Sequence, residues 1–137
     1  MTAQDNKTLI RRLSDEVANA GDLGRADTLV DADCVDHAAP ATQPPGPAGF
    51  KQGVAMLRAA FPDLRITIEE LIAEGDKVAA RLTMHGTQRG PFAGFPPSGK
   101  QATWAAMSFF RIAGGTIVER WLIPDAPSLQ RQLGEED

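Results

Sequence analysis

Several residue types are scarce in this 137-residue chain, and each scarcity closes off a class of function. There is no tyrosine, so no phenol can donate a proton to a substrate oxygen. The single cysteine, Cys34, excludes an internal disulfide and any multi-thiolate metal centre. Only two histidines occur, His37 and His85, and their spacing matches no zinc motif. No metal or cofactor is therefore expected. No apolar run approaches the roughly 18–20 residues that cross a bilayer, so no membrane partner is expected. The polar opening Met1–Asn6 has neither a basic stretch nor an apolar one, which makes the cytoplasm the expected compartment. Basic residues are scattered and outnumbered, 14 against 18 acidic ones, so no patch for nucleic acid is expected either.

What is present suits one ordinary domain over residues 1–137. Hydrophobic residues make up 42% and charged residues 23%, enough to build a packed core. The first half is patterned as helices. Leu9, Ile10, Leu13 and Val17 recur at helical spacing until Gly21 and Gly24 break the run. A second, short helix fits Asp22–Val30, and Asp33–His37 is too short to classify. Ala38–Gly49 holds four prolines and two glycines and reads as a loop. Phe50, Val54, Leu57 and Phe61 then form one helical stripe that Pro62 ends.

From Leu64 the period changes to two. Leu64, Ile66 and Ile68 alternate with polar residues, and Gly75-Asp76 supplies a hairpin turn into Val78, Ala80, Leu82 and Met84. Gly90–Gly99 is a loop carrying Phe92 and Phe95. Gln101–Ile112 and Thr116–Ile123 are two further strands joined across Gly114-Gly115, and a short helix from Pro127 closes the chain. Helices followed by an antiparallel meander predict an α+β fold, with a ligand pocket between the helices and a curved sheet.

The last strand carries the most chemical information. Alternation puts Ile117, Glu119, Trp121 and Ile123 on one face, with Asp125 in the same phase. A carboxyl group at the rim of an apolar, tryptophan-lined face is a candidate general acid/base. Loss of water would raise its pKa from about 3.9 toward neutrality. The competing reading is a helix cap, since Asp125 stands just before Ala126-Pro127-Ser128. Both stay open. His37 is a second candidate, to orient a carbonyl or pair with Asp125, against the bland reading of a structural histidine. His85 shares the phase of Arg81 and Thr83 and fits a solvated face. Arg111 and Arg120 read as strand arginines in exposed ion pairs with neighbouring carboxylates. Phe50, Phe61, Trp104 and Trp121 are core residues that can also line a pocket.

Together these segments resemble the SnoaL-like polyketide cyclases, or ester cyclases, of the nuclear transport factor 2-like superfamily. The matching pieces are Val35-Asp36-His37, Ala60-Phe61-Pro62-Asp63-Leu64 and Ala73 to Arg81. Gly86-Thr87, Gly90-Pro91-Phe92-Ala93-Gly94 and Pro96 to Lys100 follow. Phe110-Arg111-Ile112 to Gly115, Ile117-Val118-Glu119-Arg120-Trp121 and Asp125 complete the set. The resemblance implies a cone-shaped α+β barrel enclosing a pocket, and a homo-oligomer, dimeric or larger. It implies a cofactor-independent aldol ring closure on a hydrophobic polyketide ester. Asp125 takes the acid/base position, with His37 as a second catalytic candidate. Phe50, Phe61, Gln88, Trp104 and Trp121 are the expected substrate contacts.

Gln88 departs from the family's frequent Gly-Thr-His-x-Gly, and an amide cannot shuttle protons near neutral pH. Ser98 stands where a threonine is common. Within the superfamily, the tyrosine-based oxyanion hole of a ketosteroid isomerase cannot be assembled here. An epoxide hydrolase-like Asp–Arg–Asp network could use Asp125 and Arg111 but lacks an assigned third member. A non-catalytic domain that binds a metabolite, or dimerises through its sheet, is the alternative of a different class. The surroundings of Asp125 discriminate between them.

Overall fold

The computed structural model describes residues 2–134. Helix α1 spans Ala3–Arg12 and continues into a π-helical segment, Leu13–Asn19. Thr2 and Asp5 start it with a reciprocal capping box. Its stripe of Leu9, Ile10, Leu13 and Val17 is buried, as the spacing predicts. The wider π turn ends on the carbonyls of Ala18 and Asn19, which accept from the Arg58 guanidinium at 2.9 and 3.0 Å. A 3₁₀ turn, Leu23–Arg25, leads to the short helix α2, Ala26–Leu29.

Strand β1, Val30–Asp36, follows, then helix α3, Gly46–Ala60. The helix starts inside the segment read as loop. Proline in a first turn forfeits no helical hydrogen bond, so Pro45 and Pro47 can flank its start. Gly46 has φ +72°, and a Cβ there would collide with the carbonyl of Ala32, so the close approach of α3 to β1 requires glycine. Strands β2 (Arg65–Glu74), β3 (Lys77–Thr87), β4 (Gln101–Ala113) and β5 (Thr116–Pro124) form the meander, and helix α4 spans Ala126–Gly134.

The five strands lie in the order β1-β5-β4-β3-β2, antiparallel except for the β1–β5 pair. This is the expected α+β architecture, with helices packed on one side of a mainly antiparallel sheet. One part of the core joins α1, α2 and α3 to Val78, Ala80, Phe110, Ile112 and Ile117. The other joins Phe61, Met84, Trp104 and Ala106 to Leu129 and Leu133 of α4. Strand β4 is strictly alternating, with Trp104, Ala106, Ser108, Phe110 and Ile112 buried toward the helices.

Besides the register shift of β1 between Val30 and Val35, two β-bulges break the alternation of β2 and β5, and they decide what the other side of the sheet carries. In β2 the register shifts between Ile68 and Glu70. In β5 Ile117 pairs with Ile112 while Glu119 pairs with Arg111, so Val118 is an extra residue. Ile66, Ile68 and Ile117 therefore face the helices, but Ile72, Glu119, Trp121 and Ile123 face away from them. Uninterrupted alternation would have kept Ile117 and Trp121 on the same side. They are on opposite sides.

Candidate functional site

The face of the sheet turned away from the helices is built in rows by the cross-strand register. Ile72, Ala79, Phe109 and Trp121 form a row that is entirely apolar. Glu70, Arg81, Met107 and Ile123 lie beside it on one side, and Glu74, Lys77, Arg111 and Glu119 on the other. Ala79 is the small member among large neighbours, and a groove of about 430 Å³ opens there. Its lining includes Ile72, Arg81, Met107, Phe109, Trp121 and Ile123. That volume falls within the range that holds a drug-sized ligand.

A polar relay borders the groove. The Arg111 Nε donates to one Glu119 oxygen at 2.9 Å, and His37 Nε2 meets the other at 2.7 Å. The His37 ring stacks on Trp121, with centroids 4.7 Å apart and planes 10° from parallel, while Phe109 meets Trp121 edge-on. The hydrogen bond from Arg111, and secondarily that with His37, holds the Glu119 carboxyl below the usual carboxylate range. His37 owes its place to β1: its amide donates to the Arg120 carbonyl, extending the parallel pairing past Asp36. It pairs with Glu119, not with Asp125.

Asp125 continues the phase of Glu119, Trp121 and Ile123, and its amide donates to the Ala105 carbonyl, one row beyond Met107 and Ile123. It is exposed, and its Oδ1 accepts from the Ser128 amide at 3.1 Å. That is the N-cap of α4. The sequence left a desolvated carboxyl and a helix cap both open, and of the two the chain shows the cap. Its other carboxylate oxygen makes no bond within the described residues, and Asp125 is not among the residues that line the groove.

The remaining expected contacts lie elsewhere. Phe61 and Trp104 pack against each other with centroids 5.1 Å apart, on the helix side of the sheet. Gln88 is fully buried and serves the 90–99 loop: its amide donates to Phe95, and its carbonyl accepts from Ser98 at 2.6 Å. Phe50 faces Arg120, whose guanidinium sits 5.3 Å above its ring and binds Asp36 at 2.7 Å. Arg120 is thus an inward-facing partner, not a solvent-exposed one. His85 is exposed in the row of Arg65 and Thr103. Sequence reasoning missed Ile72, Met107 and Phe109: Ile72 changes side at the bulge in β2, Met107 and Phe109 take the phase of β4 opposite to Trp104, and strand partners distant in sequence bring all three beside Trp121 and Ile123.

The pocket expected between helices and sheet is nearly closed. The recess there, lined in part by Cys34, Asp36, Phe50 and Arg120, has a volume of about 10 Å³, enough for about one water molecule. Burial, reinforced by the Asp36 charge, pushes the Cys34 thiol up to about 11. Among the described residues no cluster of histidine, cysteine and carboxylate side chains could hold a metal ion. No helix among them is long and apolar enough to cross a membrane.

A family model described as SnoaL-like polyketide cyclase matches residues 8–133. An aklanonic acid methyl ester cyclase from Streptomyces peucetius is 33% identical over 92 residues, 66% of this chain. Its counterpart from Streptomyces sp. (strain C5) matches equally well. The aligned segment spans 63% and 56% of those two proteins' own lengths. Among solved structures, TsrD of Streptomyces laurentii superposes with a TM-score of 0.90 at 27% identity, covering 98% of both chains. IdmH of Streptomyces antibioticus gives 0.81 at 32% identity over 95% of this chain and 99% of its own.

Proposed function

The chain belongs to the SnoaL-like polyketide cyclase family, and on that premise we propose that it closes a ring by aldol chemistry in a hydrophobic carbonyl compound, without a cofactor. One observation carries the reading. An apolar groove of about 430 Å³ lies on the sheet face that carries Trp121 and Glu119, the partner of His37, and Asp125 follows Trp121 by four residues beyond the end of that strand. Trp121 and Asp125 stand about 13 Å apart along the strand, a span that suits a flat multi-ring ligand lying on the apolar rows.

In this reading the free oxygen of Asp125 takes a proton from a carbon α to a carbonyl. The carbanion attacks a second carbonyl carbon of the same molecule, a carbon–carbon bond forms, and that carbonyl becomes an alkoxide. The proton returns from Asp125 to the alkoxide, leaving a hydroxyl. Substrate and product are isomers, so nothing is oxidised or reduced. With Nε2 engaged by Glu119, His37 keeps Nδ1 for the enolate oxygen, donating when the ring is protonated. Arg111 fixes Glu119, and Glu119 fixes the ring. The groove contributes by holding the reacting carbons close.

The test compound is aklanonic acid methyl ester, the substrate named for the Streptomyces relatives. Conversion to an isomer of equal mass, seen by chromatography with mass detection, is the expected result. Its loss in Asp125→Asn with the fold intact supports the role of Asp125. A variant that turns over like the parent removes Asp125 from the mechanism. A second reading is favoured by the exposed apolar rows themselves: a binding or dimerising domain without turnover, for which the parent protein would convert no carbonyl ester offered.

A further inference from the structure

We infer that one water molecule is a resident part of this fold, bound in the recess beside β1 and hydrogen-bonded to Nε of Arg120. The site lies in the interior of the domain and stands independently of the proton chemistry. Among the described residues, three buried side-chain atoms have no hydrogen-bond partner: Asn6 Oδ1, Ser14 Oγ and Arg120 Nε. Of the three residues only Arg120 lines the recess, whose volume of about 10 Å³ fits one water.

The recess has its cause in the strand pairing. Val30 pairs with Ile117 and Val35 with Glu119, so Asp31 to Cys34 all stand opposite Val118. Four residues cannot lie flat against one, and the excess chain leaves room beside the ladder. Val30 and Cys34 of β1 and Ile117 of β5 wall the recess at this break. Arg120 reaches it from β5 with Phe50 over its guanidinium, and its Nη1 donates to Asp36 Oδ2 at 2.7 Å. A guanidinium keeps all its protons in a protein, so the Nε–H must find an acceptor or stay stranded.

The walls select the occupant by charge and by hydrogen bonding. The Arg120 cation already has the Asp36 anion, so a charged occupant would have no counter-ion. Burial, followed by the Asp36 charge, pushes the Cys34 thiol up to about 11, and the same surroundings oppose any other anion there. A cation would face Arg120. A neutral group that both accepts and donates fits. Asp36 retains acceptor capacity beyond its bonds from Arg120 and from the Ala38 amide at 2.9 Å, and Gln43 brings a side-chain amide to the same lining. Water meets both needs in the smallest volume, with the two to four polar partners that hold a buried one.

The position of His37 depends on this site. Asp36 directly precedes His37, and the His37 amide donates to the Arg120 carbonyl at 2.8 Å. A further bond that fixes the guanidinium also fixes the strand end presenting the imidazole. The water is thus a positioning group for His37 and touches no substrate.

Magnetic resonance of the isotope-labelled protein tests this, with the Arg120 Nε–H signal assigned by its loss in Arg120→Lys. A resident water should give a cross-peak between that proton and the water resonance, of opposite sign in nuclear and rotating-frame Overhauser spectra. Exposed Arg11 should give none of that kind. Cys34→Leu fills the recess and should remove the cross-peak while the Arg120 signal persists. The parent spectra decide the question even where that variant fails to fold. A crystal structure should place an oxygen about 2.7–3.2 Å from Nε, with a second contact to Asp36 or Gln43. A missing cross-peak overturns the inference, as does one of equal sign, which reports proton exchange with bulk solvent. So does a crystal structure in which Nε donates to a protein atom. A cross-peak that survives in folded Cys34→Leu puts the water outside the recess and refutes the site.

Discussion

Replacing Asp125 by asparagine and, separately, by alanine divides its two roles, because the two substitutions remove different things. The Ser128 amide needs an acceptor at 3.1 Å to close the start of α4, and an asparagine carbonyl serves as well as a carboxylate. Asp125→Asn should therefore change stability by no more than a few tenths of a kcal/mol. Alanine has no acceptor, and losing a cap of this kind costs about 1 kcal/mol, or about 3–5 °C in melting temperature for a chain of this size. Helix α4 covers the Phe61–Trp104 core through Leu129 and Leu133, so the loss should appear in the global transition and not as local fraying. Turnover should follow a different order. Both variants lack a group that can carry a proton, so both should lose about a hundred- to ten-thousandfold. Thermal melts followed by circular dichroism, run beside the ester conversion assay, read both quantities on the same samples. Equal melting temperatures for the two variants would refute the cap. Unimpaired conversion by Asp125→Asn would refute the acid/base role.

Three further outcomes follow from other contacts. The Asp36–Arg120 pair is four-fifths buried or more, so Asp36→Asn strands a guanidinium and should cost about 2 kcal/mol in urea unfolding. The double variant Asp36→Leu/Arg120→Met should recover at least half of that; a double variant no more stable than the single one would show that the cost is packing. Arg111 and His37 lower the Glu119 pKa in the fold, so that carboxylate stabilises above its unfolded value near about 4.3, and the contribution is lost as pH falls through the folded value. Glu119→Gln should therefore melt below the parent at about pH 7, with the gap narrowing as the pH falls below about 4, and a gap that stays constant into acid would refute the linkage. With its thiol at about 11, Cys34 is about one part in a thousand thiolate at about pH 8, so Ellman's reagent should react only as the protein unfolds; prompt reaction with the native protein would contradict its burial.

Helix and hairpin positions were legible in the sequence because their causes are local. Leu9, Ile10, Leu13 and Val17 report a helix by spacing alone, and Gly75, Gly114 and Gly115 take the positive φ that their turns need. Strand β1 was not legible. Asp31, Asp33 and Asp36 make it a poor strand by composition, and what holds it is parallel pairing with β5, more than eighty residues away. The shared face of Glu119, Trp121, Ile123 and Asp125 could be read from alternation. Which side of the sheet that face occupies could not, because Val118 and the bulge in β2 leave no mark in the hydrophobic pattern. For that reason Phe61 and Trp104 looked like neighbours of Trp121 and lie across the sheet from it.

The extra residue in β5 makes the strand unequally tolerant of shortening. Removing Val118 would straighten the backbone and leave every later side chain pointing as before. Removing Ile123, only five positions on, would carry Asp125 through the sheet to the helix side. Length variation among natural or engineered versions of this domain should therefore accumulate at Val118 and stop abruptly beyond it.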